Sequence, residues 1–164
     1  MATRPEQLYE KDFYAWTRDQ ARALRRLAAT RPNVALDLDH LIEEVADLGK
    51  SERFAVRSQL RRIIEHCLKL AWSPARAPRP GWHETIIDAR TILEDKLSPT
   101  LRRDLRRNLP QLYDQARRNA EGSLRAYGEH SAANQLPVEC PYGFADLLRH
   151  SWYPESKHDL REAL

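Results

Sequence analysis

The chain has 164 residues, 41% of them hydrophobic and 31% charged, with a mean hydropathy of -0.72. That length holds one domain with a real core, and that polarity excludes a membrane-spanning bundle. Lys and Arg total 27, of which five are lysine and 22 arginine, against 24 acidic residues; the net +3 falls far short of a histone-like polyanion binder.

Leucine and alanine dominate and only five glycines occur, so propensity favours helix almost everywhere and no segment alternates as a strand does. Tyr9, Phe13, Trp16, Leu24 and Leu27 recur at helical steps while Arg18, Asp19, Arg22, Arg25 and Arg26 fall mostly elsewhere, which predicts one amphipathic first helix ended at Arg31-Pro32-Asn33. Residues 37–73 form the longest periodic stretch, with Leu41, Val45, Leu48, Val56, Leu60, Ile63, Ile64, Cys67 and Leu70 as its apolar stripe. Gly49 interrupts it, so the region is either one bent helix or two helices meeting there, with Ser51 able to cap the second. Its acidic residues come first and its basic residues last, the polarity that complements a helix dipole. The proline-rich run 73–81 reads as a semi-rigid connector.

A further helix comes next, with Trp82, Ile86, Ala89, Leu93 and Leu97 inward. Ser98-Pro99 restarts the chain as cap and first helical residue. Leu101, Leu105, Leu109, Tyr113, Ala116 and Ala120 carry the apolar line through Pro110, which kinks or splits the helix, and Gly122 and Gly128 end it. Residues 129–140 read as loop, Cys140-Pro141 as the opening of a last short helix, and Pro154 as the start of a fraying tail. The expected fold is all-α: a compact bundle of five to six helices around one long central helix, bent or divided at Gly49. It forms a single domain over 1–164, with its core at about 8–154 and a flexible tail at 155–164.

Taken together, Tyr9 to Trp16, Leu38 to Gly49 with Ser51-Glu52, and Ser58, Leu60, His66, Leu68, Lys69 and Trp72 resemble the bacterial domain-of-unknown-function family number twenty-nine. Trp82, Ile86, Arg90, Ser98-Pro99-Thr100-Leu101, Tyr113, Ala116-Arg117, Ala120 and Cys140-Pro141 stand in that family's order, so the resemblance covers roughly residues 8–154. One departure is Cys67, where the family tends to place leucine. The resemblance implies an all-helical fold and carries no activity or catalytic residues with it.

Four constellations bear on chemistry. Glu52, Gln59 and His66 recur every seven residues at the edge of the apolar stripe, and with Glu44 they could build an acid/base or metal site against a facing helix. No Glu-x-x-His pair accompanies them, no metal or other cofactor is expected, and the plainer account is hydrogen bonding where helices cross. Arg61 and His66 match the Arg-x4-6-His spacing of HEPN-type ribonucleases, yet five residues along a regular helix place them about 140° apart. Cys140 at a helix start would be an activated thiol, or simply a packed one. Residues 99–125 carry seven arginines against three acids, a local +4. There Arg102, Arg103, Arg106 and Arg107 form a candidate nucleic-acid face that is equally an ordinary solvated one.

Residues 1–7 lack the apolar core of a secretion signal, no stretch approaches 18 apolar residues, and neither cysteine belongs to a ligand pattern. A cytoplasmic chain with reduced thiols is therefore expected. With no phosphate loop, nucleophile triad or cofactor box, the reading is a protein-interaction or regulatory module without catalysis, not associated with membranes, whose partner the sequence leaves unnamed. The alternatives are a hydrolase or ribonuclease-like enzyme centred on Glu44, Glu52 and His66, and nucleic-acid binding through the arginines of 99–125.

Overall fold

A computed structural model of the chain describes residues 4–158. It is 74% helical, with no strand among the described residues. These residues form eight helices: α1 (Pro5–Lys11), α2 (Phe13–Ala29), α3 (Leu38–Trp72), α4 (Arg79–Lys96), α5 (Pro99–Arg107), α6 (Leu109–Ala126), α7 (His130–Asn134) and α8 (Phe144–Leu148). The all-α class with one long helix is the one that propensity and periodicity indicate. The count exceeds five to six because the expected first helix is two, α1 and α2, and because α7, with five residues, is too short for a periodic signal; α8 is the last short helix that was expected. The chain divides into two units, one of residues 4–56 with Lys96–Asp104, the other of residues 57–95 with 105–158.

In the first unit, the aromatic-rich start is two helices and not one. Asp12 leaves helical space at φ -153° and ψ 76°, and its carboxylate accepts the Ala15 N–H at 3.0 Å, capping α2. The same carboxylate accepts the Thr100 N–H at 2.9 Å, so one buried acid serves the starts of both α2 and α5. Burial by itself would raise the Asp12 carboxyl, but the amide bonds from Ala15 and Thr100 outweigh it and hold the group below its ordinary value. The rings of Tyr9, Phe13 and Trp16 meet across the break, with centroids 4.9 to 5.6 Å apart.

The buried face of α2 is Tyr14, Thr17 and Ala21, not the Phe13, Trp16 and Leu27 row. Thr17 and Ala21 on that face are small, and at Thr17 α3 comes very close: a Cβ at Gly49 would lie 2.4 Å from Thr17 Oγ1. Gly49 therefore neither divides α3 nor frees Ser51 to cap a new helix; α3 runs on for 35 residues and the glycine is there for contact. Leu41 and Leu48, assigned to the buried stripe, are exposed, and burial on α3 begins in earnest at Val56.

The second unit holds the larger core. Leu60, Ile63, Ile64, Cys67 and Leu68 of α3 are fully buried, as are Ile86, Ala89 and Leu93 of α4 and, on α6, Tyr113, Ala116 and Ala120 within a few per cent. α4 begins at Arg79, inside the supposed connector, because proline is tolerated in a first helical turn. Asn108 separates α5 from α6, as Pro110 at the second helical position requires. Gly122 remains inside α6; it is Gly128, at φ +79°, that ends the helical run.

Part of the expected loop 129–140 is helix α7, and the segment beyond that helix is fastened to α6 by the Tyr113 hydroxyl, which donates to Pro137 O at 2.6 Å. The last helix starts at Phe144 with Gly143 as its cap, so Cys140 does not open it. Periodicity did not flag Arg90, which is 1% exposed. Its Nε donates to Leu147 O at 2.9 Å, its other nitrogens reach His150 O and Asp146 O at 3.4 and 3.5 Å, and its guanidinium lies 5.1 Å from the Tyr153 ring. The cation thus terminates α8 by satisfying carbonyls that a helix end leaves unpaired.

In the segment assigned to a tail, the Lys157 N–H donates to Ala71 O at 2.8 Å, His158 Nε2 lies 2.8 Å from Trp72 O, and Ser156 is buried. The remaining tail residues, 159–164, lie outside the described residues. No helix among the described residues is long and apolar enough to cross a membrane.

Candidate functional site

Glu44, Glu52 and His66 all lie on the unbroken α3. At 1.5 Å of rise per residue, eight and fourteen residues separate them by about 12 and 21 Å, beyond the reach of side chains converging on one ligand. Glu44 is exposed, and Glu52 Oε1 meets Lys96 Nζ at 3.2 Å in a half-exposed ion pair of the first unit. His66 Nδ1 lies 2.8 Å from Arg62 O; since a carbonyl only accepts, Nδ1 carries the proton and Nε2 is left as the acceptor. Desolvation pushes the ring below its ordinary value against the help of that carbonyl, so the imidazole is neutral at neutral pH. Among the described residues no three His, Cys, Asp or Glu side chains are grouped to hold a metal ion.

Beside His66, Lys69 Nζ and Glu65 Oε1 form a largely buried ion pair at 2.7 Å. Sequence reasoning passed over it, although the Glu-to-Lys i,i+4 spacing was a readable signal. Arg61 points instead to Gln115, donating to Oε1 at 3.1 Å, and the helix shows no break at Ile63-Ile64 to turn it toward His66.

Cys140 is half-buried, its Sγ lies 3.5 Å from Tyr142 O, and burial raises its thiol above the ordinary value, the opposite of an activated nucleophile. Arg102, Arg103, Arg106 and Arg107 are all exposed on α5. Arg103 donates to Thr100 Oγ1 at 3.2 Å, and the Arg106 guanidinium lies 5.2 Å from the Phe144 ring.

The most distinctive surface belongs to the first unit. From Thr17 to the end of α2 at Ala29 is twelve residues, and from the start of α3 at Leu38 to Gly49 is eleven, so the two arms are about 18 and 17 Å long. Equal arms joined by residues 30–37 and in contact at Thr17 and Gly49 make α2 and the start of α3 an antiparallel pair. At 100° per residue, Phe13, Trp16, Leu24 and Leu27 fall on one flank of this pair, and Leu41 and Leu48 fall on that same flank. Arg18, Arg22, Arg25, Asp39, Glu43 and Lys50 fall on the other flank. Leu27, Leu41 and Leu48 are 42%, 39% and 50% exposed, and Val34 and Leu36 in the connector are exposed as well. Sequence periodicity marked these leucines correctly as apolar-stripe positions but assigned them to a core that this unit does not place over them.

Comparison with known proteins agrees with the helical architecture. A protein of 23% identity, the alpha-helical protein of unknown function from Rhodospirillum rubrum whose crystal structure has been solved, is similar over 94% of this chain and 95% of its own, with a TM-score of 0.74. At that identity the likeness establishes the fold alone. No curated protein matches the chain. The profile of DUF29, a domain of unknown function, matches residues 8–153, and the chain belongs to that family.

Proposed function

We propose that the protein is a non-catalytic protein-interaction module working in the cytoplasm, and that the exposed flank of α2 and α3 is the surface through which it acts. The observation carrying this reading is the set Leu27, Leu41 and Leu48, three leucines on one side of a helix pair with 39% to 50% of their surface open to water. Single exposed leucines are ordinary, but an aligned apolar row continued by half-buried Phe13, Trp16 and Leu24 is the pattern of a protein-contact surface. Support also comes from the separation of Glu44, Glu52 and His66 along α3.

The test is photo-crosslinking in cells with a crosslinking amino acid placed at Leu41 or Leu48, and at Asp39 on the opposite flank as control. Discrete protein adducts from positions 41 and 48, absent from 39, are the expected result. Adducts of equal yield at all three positions, or none at any, overturn the reading.

A further inference from the structure

We infer that the exposed face of α5 docks on the phosphate backbone of duplex DNA without reading its sequence. The inference is independent of the interaction-module reading, which rests on a different, apolar surface. Its basis is uncompensated charge. Residues 99–125 hold seven arginines, but those of α6 are engaged within the fold: Arg118 pairs with Asp114 at 3.0 Å, Arg125 pairs with Glu121 at 2.9 Å, and half-buried Arg117 reaches Leu136 O at 3.4 Å. The excess sits on α5. Among the described residues no carboxylate meets Arg102, Arg103, Arg106 or Arg107; Thr100 Oγ1 holds Arg103 and the Phe144 ring holds Arg106, neutral groups that leave the charge intact. The one acid of this helix, Asp104, is 5% exposed, so α5 turns four positive charges to solvent, more than the net +3 of the whole chain.

At 100° per residue the four arginines fill an arc of about 140°, while Leu101, Asp104 and Leu105, all buried, lie on the other side. Helix stability does not account for this sorting. Arg106 and Arg107 in the last turn complement the dipole, but Arg102 and Arg103 are the fourth and fifth of nine residues, and both 102/106 and 103/107 are like-charge pairs four apart, which weaken a helix. A polyanion across the face relieves that repulsion. The guanidinium fork matches phosphate oxygens, and duplex DNA carries one negative charge for about every 1.7 Å of axis, so cations about 6 Å apart along α5 meet phosphates in any register.

The chemistry of the face also selects among polyanions. It holds no aromatic ring to stack an unpaired base, which disfavours single strands. A helix fits the major groove of B-form DNA, whereas that of A-form RNA is too deep and narrow for it. The leucines of α5 are covered by the fold, which leaves no apolar side chain to enter a lipid surface.

Fluorescence anisotropy of a labelled DNA duplex of mixed sequence, titrated with the purified full chain, tests this. Wild-type affinity is expected to fall with salt at a log–log slope of about -3.6, the value for four phosphate contacts, or about 100-fold between roughly 50 and 200 mM. R102Q/R107Q, with helical circular dichroism retained, should bind about 10-fold more weakly or worse, with a slope near about -1.8. R25Q/R26Q removes the same charge from exposed positions of α2 and should bind as the wild type does. A wild type that does not bind at low salt, or binds with a slope near zero, overturns the inference whatever the variants do. Equal weakening by R102Q/R107Q and R25Q/R26Q overturns the assignment to α5. Tighter binding to duplex RNA, single-stranded DNA, polyglutamate or vesicles of equimolar phosphatidylserine and phosphatidylcholine overturns duplex DNA as the occupant.

Discussion

Gly49 and Thr17 define the closest approach between α2 and α3: a methyl group in place of the glycine hydrogen would sit 2.4 Å from Thr17 Oγ1 and 3.4 Å from its Cβ. The hydroxyl cannot simply swing away without cost, because it donates to Tyr14 O at 2.8 Å. Helix propensity alone would make Gly49→Ala stabilising by about 1 kcal/mol, whereas an overlap of this kind costs about 1–3 kcal/mol. The overlap is expected to win. Gly49→Ala should lower the urea midpoint, and Thr17→Ala in the same chain should recover most of the loss. A raised midpoint for the single variant would show that the glycine is not a contact residue.

Asp12 joins the starts of α2 and α5, and its removal should cost about 2 kcal/mol, the upper range for losing an N-cap, because a second buried amide is orphaned with it. The sign of the pH dependence comes from the folded carboxyl titrating below its ordinary 3.8. The unfolded chain then binds the proton more readily, so the stabilisation is complete above that value and is lost as pH falls through the folded one. The gap in unfolding free energy between wild type and Asp12→Ala should be flat near neutrality and narrow in acid below about pH 4.

Arg90 presents a different exposure to substitution. Replacing it with methionine keeps the volume but leaves Leu147 O and its neighbours without a donor, an expected loss of about 2–4 kcal/mol. Lysine should not rescue it, since a single ammonium cannot span the carbonyls of residues 146, 147 and 150. Hydrogen exchange read by mass spectrometry should localise the damage to residues 144–153; exchange rising evenly over the whole second unit would argue against this capping role.

The two thiols should behave unlike reactive cysteines. Cys67 is fully buried and pushed up to about 12 by desolvation, and burial raises Cys140 as well. A thiol reagent at neutral pH should label Cys140 slowly and leave Cys67 untouched until denaturant is added, when both react at the rate of a free thiol. Rapid native labelling of Cys140 would restore the activated-thiol reading that its position outside α8 argues against.

Residue by residue, legibility tracked the range of the interaction. Ser98 as the cap of α5, with its Oγ accepting the Leu101 N–H at 3.2 Å, and the division near Pro110 were readable because caps and prolines act within a few residues. Asp12 was equally local, yet the aromatic periodicity running across it hid the cap. Gly49 was noticed and misjudged: its cost to an isolated helix is a local quantity, while its use depends on Thr17, 32 positions away. Arg90 looked like any helical arginine, since nothing in its neighbourhood in sequence announces the carbonyls nearly sixty residues later that hold it.

The helical class, the long third helix, the family and the amphipathic rows were all legible from the order of residues, because propensity and periodicity act along a single segment. Which rows are covered was settled by packing. The fold buried Leu60, Ile63 and Ile64 and left Leu41 and Leu48, part of the same apolar stripe, open to solvent. It also spread Glu44, Glu52 and His66 along one rod. The reason is physical: an apolar stripe states that a face must be covered but not by what, and a recurring polar spacing states that side chains share a helix face but not that they meet. Both answers depend on which segment packs opposite, and that is settled by contacts distant in sequence.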